Sequence, residues 1–370
     1  MKKLKILTVF GTRPEVIKLA PLIKAVEADP ECISVTCATT QHRELQNNFL
    51  DLFAIIADHD LKVMEEGQDL FHITETVLSR IKQVLVAEKP DFTVVQGDTT
   101  TAFAAALSCF YLKIPIVHVE AGLRTGNIHY PFPEEANRIL ISRMASLHMS
   151  PTQKAVENLA KEGIIENVFK VGNTIVDSVN WVLKNHLTQN EKIQEILNGR
   201  LRNVLITVHR RENFGDPLKE ICEAINDLTK KYQDYRFIWP LHPNPNIRNY
   251  VEDNLSNIPN LFLLEPLSYG DLVYMIRNSA LILSDSGGIQ EEACILGKNI
   301  LILRNETERP EVVEAGYGVL TGSNKNKILE NFNKILTKEA RRVGGEHIYG
   351  TLGVSNQILS VIKDKERTYL

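Results

Sequence analysis

Three carboxylates stand where a chain that moves protons would need them. Asp98 follows Gln96-Gly97 at the end of an apolar run, Glu120 leaves the run Ile116–Val119, and Glu134 opens a helical stretch behind Pro131-Phe132-Pro133. Each also has a structural reading. Asp98 is placed to cap a helix, which is the reading its position alone favours. Glu134 and Glu135 are placed to complement a helix dipole. On one rim, however, three carboxylates repel, raise the pKa of at least one of them, and so separate an acid from a base.

A second set of residues suits an anion. In Gly11-Thr12-Arg13-Pro14-Glu15 the glycine allows a tight turn and the proline is preorganised for a first helical turn. The free amides of that turn favour negative charge, Arg13 adds a planar cation, and Lys18 lies one turn further in. The segment Asp285-Ser286-Gly287-Gly288 lets backbone amides approach a phosphate, and Glu292 on the following helix is placed to accept from ribose hydroxyls. His209 is either a satisfied loop histidine or a phosphate or proton-transfer group. Pro240-Leu241-His242-Pro243 presents His242 on a rigid turn, and Arg309 follows another apolar run. A metal would be the alternative use of His118, Glu120, His209 and His242, but no HExxH or paired Cys/His spacing supports one. The G-x-G-x-x-G and G-x-x-x-x-G-K spacings are absent too, which speaks against a nicotinamide or Walker-type site.

These residues need elements to hold them, and the hydropathy pattern supplies a repeating set. Strands are expected at Leu4–Phe10, Ile33–Ala38, Phe92–Gln96, Ile116–Val119 and Val168–Val171. Helices are expected from Pro14 and over Gln68–Glu88, Thr99–Tyr111 and Pro133–Ala145. The strands are continuous apolar runs, as strands buried on both faces are, so the alternation implies a parallel sheet with right-handed crossovers. After a polar helical stretch at Leu187–Arg202 the pattern restarts, with strands at Val204–Thr207, Arg236–Trp239, Leu261–Leu264, Leu281–Ser284 and Ile300–Leu303. The join falls near Val171–Val179, and a last helical segment, Ser355–Lys365, has no strand of its own. Ligands of such sheets bind beyond the carboxyl ends of the strands, where the candidate residues lie.

Composition narrows the class. The 370 residues suggest two domains, and 44% hydrophobic with 24% charged residues is ordinary for a globular chain. A formal net charge of −4 offers no global field for nucleic acid. The most apolar long stretch, Thr101 to Val119, is interrupted by Ser108, Lys113 and Pro115, so no membrane span is expected. The N-terminus carries no signal-peptide pattern. Five cysteines without a CxxC pair read as buried thiols of a cytoplasmic protein.

Together the motifs resemble those of the non-hydrolysing UDP-N-acetylglucosamine 2-epimerases. The matching pieces are Gly11–Glu15, Gln41-His42-Arg43-Glu44, Gly97-Asp98-Thr99, His118–Thr125 and Pro131–Arg138. They continue through Gly172-Asn173-Thr174, His209–Asn213, His242–Pro245, Asp285–Ala293 and Thr307–Glu311, in order across residues 5–316. The resemblance implies an α/β chain of two Rossmann-like, doubly wound parallel-sheet domains facing across a cleft, the GT-B architecture. Residues 1–172 would form the first domain and 173–354 the UDP-binding second, with a C-terminal helix, 355–370, crossing back to the first. It implies epimerisation at carbon 2 of UDP-GlcNAc to UDP-ManNAc, by anti-elimination of UDP to 2-acetamidoglucal and re-addition, without cofactor or metal. Asp98, Glu120 and Glu134 would be the acid/base group, and Arg13, Lys18 and His209 would stabilise departing UDP. Ser286, Gly287 and Gly288 would hold phosphates, Glu292 ribose, and Arg309 the nucleotide side. Gln41, Arg43 and His242 mark the region where a second UDP-GlcNAc activates many bacterial members.

The implied partners are a UDP-sugar and a second copy of the chain, with no nucleic acid or membrane. The implied setting is cell-surface polysaccharide biosynthesis. A hydrolysing relative releasing ManNAc plus UDP, and a GT-B glycosyltransferase, share parts of the pattern. The chain departs from it at Leu272, where an aromatic residue is frequent. It departs again at Tyr349-Gly350-Thr351-Leu352-Gly353, which lacks an aspartate, and at Glu44 and Gly67, where some regulated members carry Gln and Arg.

Overall fold

A computed structural model of the chain describes residues 2–39, 49–65, 67–185, 190–199, 201–337 and 348–369. The chain forms two compact units, Met1–Trp181 with Tyr349–Leu370, and Val182–Ile348.

In the first unit, strands β1 (Leu4–Phe10), β2 (Cys32–Ala38), β3 (His59–Asp60), β4 (Phe92–Gln96), β5 (Ile116–Val119), β6 (Leu147–Ser150) and β7 (Val168–Lys170) make one sheet. It is parallel throughout, in the order β3-β2-β1-β4-β5-β6-β7. The apolar runs become central strands because both of their faces are covered. Ile6, Leu7, Val9 and Phe10 of β1 are all buried, and Thr8 pairs in register with Val94 of β4. The chain winds outward from β1 to β3, then returns to β4 and winds the other way. The loops after β1 and β4 therefore leave in opposite directions and open a crevice at the carboxyl end of the sheet.

The second unit repeats the scheme with β8 (Arg202–Thr207), β9 (Tyr235–Pro240), β10 (Leu261–Leu264), β11 (Ser279–Ser284), β12 (Ile300–Ile302) and β13 (Gly318–Leu320), ordered β10-β9-β8-β11-β12-β13. Its reversal lies between β8 and β11, where Thr207 pairs with Ser284. Trp239, Phe237 and Phe332 are fully buried in its core.

The helices start where side chains can satisfy free amides. Asp69 caps Leu70–Glu88 through the His72 amide at 2.8 Å, Thr99 caps Thr100–Tyr111 through Ala102, and Ser286 caps Gly287–Ile295. The last helix, Val354–Tyr369, packs on the Arg13–Ala28 helix of the first unit and buries Ile358, Leu359 and Ile362. Asp177 accepts hydrogen bonds from the Gly353 and Ser355 amides, both at 2.7 Å, and Lys363 pairs with Asp29 at 2.8 Å.

Strands β3, β6 and β13 lie outside the expected set: β3 is only two residues, β6 is half polar, and β13 opens on a glycine. The polar helical stretch expected at Leu187–Arg202 is a helix over Glu191–Asn198, with Arg202 already in β8. None of the described helices is long and apolar enough to cross a membrane. All five cysteines are free and buried, and burial pushes the Cys37, Cys109, Cys222 and Cys294 thiols up to about 12.

Candidate active site

At the end of β1, Gly11 has no room for a side chain. A Cβ there would lie 2.3 Å from Thr39 Oγ1 and 2.5 Å from Thr101 Oγ1. The turn is fastened by Glu15, which is fully buried. Its carboxylate accepts from the amides of Gly11 (3.0 Å) and Thr12 (2.7 Å), and from the hydroxyls of Thr12 and Thr99, each at 2.8 Å. Burial pushes the Glu15 carboxyl above the usual range, with these hydrogen bonds pulling the other way. Glu15 so links the turn after β1 to the turn after β4. Arg13 is exposed at the start of the helix, its guanidinium carbon 5.7 Å from the centre of the Phe49 ring.

Glu120 follows β5 with φ +65°, a left-handed conformation uncommon in a non-glycine residue. Lys18 Nζ lies 2.7 Å from Glu120 Oε2, the Gln96 amide donates to the same oxygen, and both Lys18 and Glu120 are buried. Asp98 is paired with Arg138 at 2.5 Å, and its carbonyl accepts from Asn137 at 2.9 Å. The expectation that Asp98 caps the next helix is therefore corrected. Thr99 has the capping backbone conformation and bonds the Ala102 amide, while Arg138 draws the Asp98 carboxylate away.

Through Asn137 and Arg138, the helix that Glu134 opens is tied to the Asp98 turn. Glu134 is half-buried. Its neighbour Glu135 is fully buried and accepts from the amides of Thr125 and Gly126, so it serves the loop rather than a ligand. The crowding of like charges expected on this rim is answered by cations. Lys18 matches Glu120, and Arg138 matches Asp98.

In the second unit the loops after β8 and β11 bring His209 and Asp285 together. Asp285 is fully buried and accepts from the amides of His209 (3.0 Å) and Arg210 (2.9 Å) and from Asn213 Nδ2 (2.9 Å). His209 Nδ1 lies 2.9 Å from its other oxygen. Burial opposes the charge of Asp285, but the His209 contact and these hydrogen bonds outweigh it and hold the carboxyl below its usual range.

Ser286, Gly287 and Gly288 follow directly, at the N-terminus of the next helix. A Cβ on Gly287 or Gly288 would meet nothing nearer than 4.0 Å, at Arg210 and Ser286 respectively, so the glycines leave an open approach to the helix amides. Glu292 is buried further along this helix. Arg309 is turned onto Glu291, and Thr307 donates to Gln290 at 2.6 Å, which docks the Thr307–Arg309 loop on the same helix. His242 is exposed, its ring stacked on His209 at 6.1 Å between centroids. Leu272 is half-buried. Gln41 and Arg43 lie outside the described residues.

The structure thus adds residues that the motif reading quoted without a role, or did not weigh: Glu15, Gln96, Arg138, Asn213 and Asp285. Their signal is pairing across long sequence distances, which a single sequence does not display. Among the described residues, no group of three or more His, Cys, Asp or Glu is placed to hold a metal ion.

Residues 24–363 match the family model described as UDP-N-acetylglucosamine 2-epimerase. The chain is 41% identical to UDP-N-acetylglucosamine 2-epimerase of Escherichia coli K12, over 98% of this chain and 99% of that protein. Among solved structures it is similar to the UDP-GlcNAc 2-epimerase of Neisseria meningitidis bound to UDP-GlcNAc, with TM-score 0.88 and 43% identity, covering 98% of this chain and 100% of that one. It is also similar to a putative UDP-N-acetylglucosamine 2-epimerase from Listeria monocytogenes, with TM-score 0.92 and 41% identity, covering 98% and 97%. The two parallel-sheet units and this similarity place the chain in the GT-B fold class.

Proposed function

The chain belongs to the UDP-N-acetylglucosamine 2-epimerase family, and from that premise we propose that it interconverts UDP-GlcNAc and UDP-ManNAc without net hydrolysis. The observation that carries the substrate and reaction is full-length identity above 40% to named epimerases, one relative having been solved with UDP-GlcNAc bound. The non-hydrolysing course rests on the collinear motifs.

The carbon 2 proton is too weakly acidic for simple removal. In the proposed reaction a carboxylate takes it, and the C2–H electron pair becomes the C1–C2 double bond. The C1–O bond breaks at the same time, and UDP leaves with its electrons. Return delivers a proton to the opposite face of carbon 2 while the UDP oxygen re-forms its bond to carbon 1, so nothing is oxidised or reduced. Asp98, Glu120 and Glu134 are the proposed proton carriers. Lys18 and Arg138 beside two of them support this role, since they hold a buried carboxylate, Glu120, and a partly exposed one, Asp98, in place. Arg13, Lys18 and His209, with the Ser286–Gly288 amides, are proposed to stabilise the departing diphosphate, Glu292 to hold ribose, and Arg309 to serve the nucleotide side.

Gln41, Arg43 and His242 are proposed to bind a second UDP-GlcNAc. Hyperbolic kinetics in the UDP-ManNAc direction would argue against that. The enzyme is further proposed to be a homodimer, which sedimentation would test, and cytoplasmic, which its five free thiols favour.

Proton NMR of UDP-GlcNAc with the enzyme in deuterium oxide tests the main reading. The expected result is UDP-ManNAc carrying deuterium at carbon 2, with little free sugar. Stoichiometric free ManNAc would transfer the chain to the hydrolysing class. An unchanged spectrum would favour a transferase.

A further inference from the structure

The chemistry proposed above gives His209 a task and leaves Asp285 without one. Yet the carboxylate is built into the second unit with unusual care. It lies just beyond β11, at the point where the strand order reverses, and is fully buried. It takes hydrogen bonds from two backbone amides of the β8 loop and from Asn213, which itself reaches on to the Leu303 carbonyl at 3.1 Å. Those contacts fix the carboxylate before any ligand arrives. One of its oxygens then lies 2.9 Å from His209 Nδ1.

An ionised carboxylate only accepts hydrogen bonds, so the ring nitrogen facing it must carry the proton. The opposite nitrogen, Nε2, is thereby the atom the ring presents outward, and about a third of the side chain (34%) is open to solvent. The next residues in the chain after Asp285 are the cap and glycines of the phosphate cradle. Among the described residues, Asp285 and the stacked His242 face the ring, and Arg210 follows it in the chain.

We propose that Asp285 is the positioning residue for His209: it holds Nδ1 protonated and stabilises the imidazolium, so that Nε2–H donates to the diphosphate oxygen on which charge develops. No proton is consumed, because the oxygen returns to carbon 1 when UDP is re-added. The inference rests on the epimerase reading for its activity readout, while the ring-protonation readout stands apart from it.

The test compares the full-length protein with Asp285→Asn. The amide oxygen keeps an acceptor for the backbone amides, but its NH2 now faces Nδ1 and donates, which moves the ring proton to Nε2. The expected results are a kcat lowered about 100-fold, with KM and UDP affinity within about threefold. Nitrogen-15 NMR with UDP bound should show both His209 ring nitrogens protonated in the wild type and only Nε2 protonated in the variant. Asp285→Asn combined with His209→Gln should be no slower than His209→Gln alone.

Wild-type protein whose His209 Nδ1 carries no proton would overturn the proposal, and that needs no variant to fold. So would Asp285→Asn with kcat within threefold of wild type, or losses that add in the double variant. The stated difference in ring protonation between wild type and variant, in a protein that makes no UDP-ManNAc, would support the pairing and reject the reaction assigned to it.

Discussion

At the scale of the residue, the sequence shows which side chains could react but not what holds them ready. Asp98, Glu120 and Glu134 were recognisable from strand ends and turns. Lys18 and Arg138, the partners of two of them, are 102 and 40 positions away from those acids and carry no local mark. Position alone favours a cap for Asp98, as for most single carboxylates before a helix, and only the Arg138 pair shows why Thr99 takes that place. Two predictions belong here. Asp98→Asn keeps an oxygen toward Arg138, so the fold and UDP binding should persist while deuterium exchange at carbon 2 falls by about 100-fold or more. Calorimetry with UDP and exchange NMR together check it, and retained exchange removes Asp98 from the acid/base group. Lys18→Met strips a counter-charge from buried Glu120 and should lower stability by about 3 kcal/mol. Adding Glu120→Gln should recover most of that stability in urea titrations and none of the activity.

At the scale of the element, long strands were legible because burial on both faces writes a continuous apolar run. β6 is not, because half of Leu147-His148-Met149-Ser150 is polar and it follows directly on the helix expected to Ala145. Its histidine, His148, pairs in register with His118 of β5, and both are buried. His118 donates from Nε2 to the Gly97 carbonyl at 2.8 Å if that nitrogen carries its proton, and so supports the turn that bears Asp98. Burial drives the His118 pKa down to about 3, the Gly97 bond opposing, and that of His148 down to about 4. Both rings fold neutral, whereas in the unfolded chain they bind protons below about pH 6.5. Their contribution is therefore complete above that pH and is lost as the pH falls toward the folded values, at about 1.4 kcal/mol per pH unit for each histidine. Glu15 works in the other direction, since its raised pKa favours folding most in acid. The comparison that isolates the rings is urea unfolding at pH 7, 6 and 5 for wild type and His148→Gln. The variant should lose about half of the histidine-derived slope, and an unchanged slope would show that His148 does not fold neutral.

At the scale of the whole molecule, the restart of the strand-helix pattern was readable as two α/β units, but periodicity alone left the last helix without a home. Its attachment depends on long-range contacts. Asp177 holds the amides of Gly353 and Ser355, and Gly172 has its Cα face against the Tyr349 carbonyl, where a Cβ would lie 2.5 Å from that oxygen. The returning chain then lays Val354, Ile358, Leu359 and Ile362 into the first unit. Four buried apolar side chains at about 1.5–3 kcal/mol each amount to roughly 6 kcal/mol or more, comparable with the entire stability of an ordinary domain. A chain ending at Gly353 should therefore lose the cooperative melting of the first unit while the second unit keeps its own transition. Lys363→Ala, which removes only a partly exposed ion pair with Asp29 and Glu31, should leave both transitions in place. Scanning calorimetry with limited proteolysis distinguishes the two cases. If the truncated chain melts as the full chain does, the terminal helix is an ornament of the first unit and the apolar contacts named here do not hold it together.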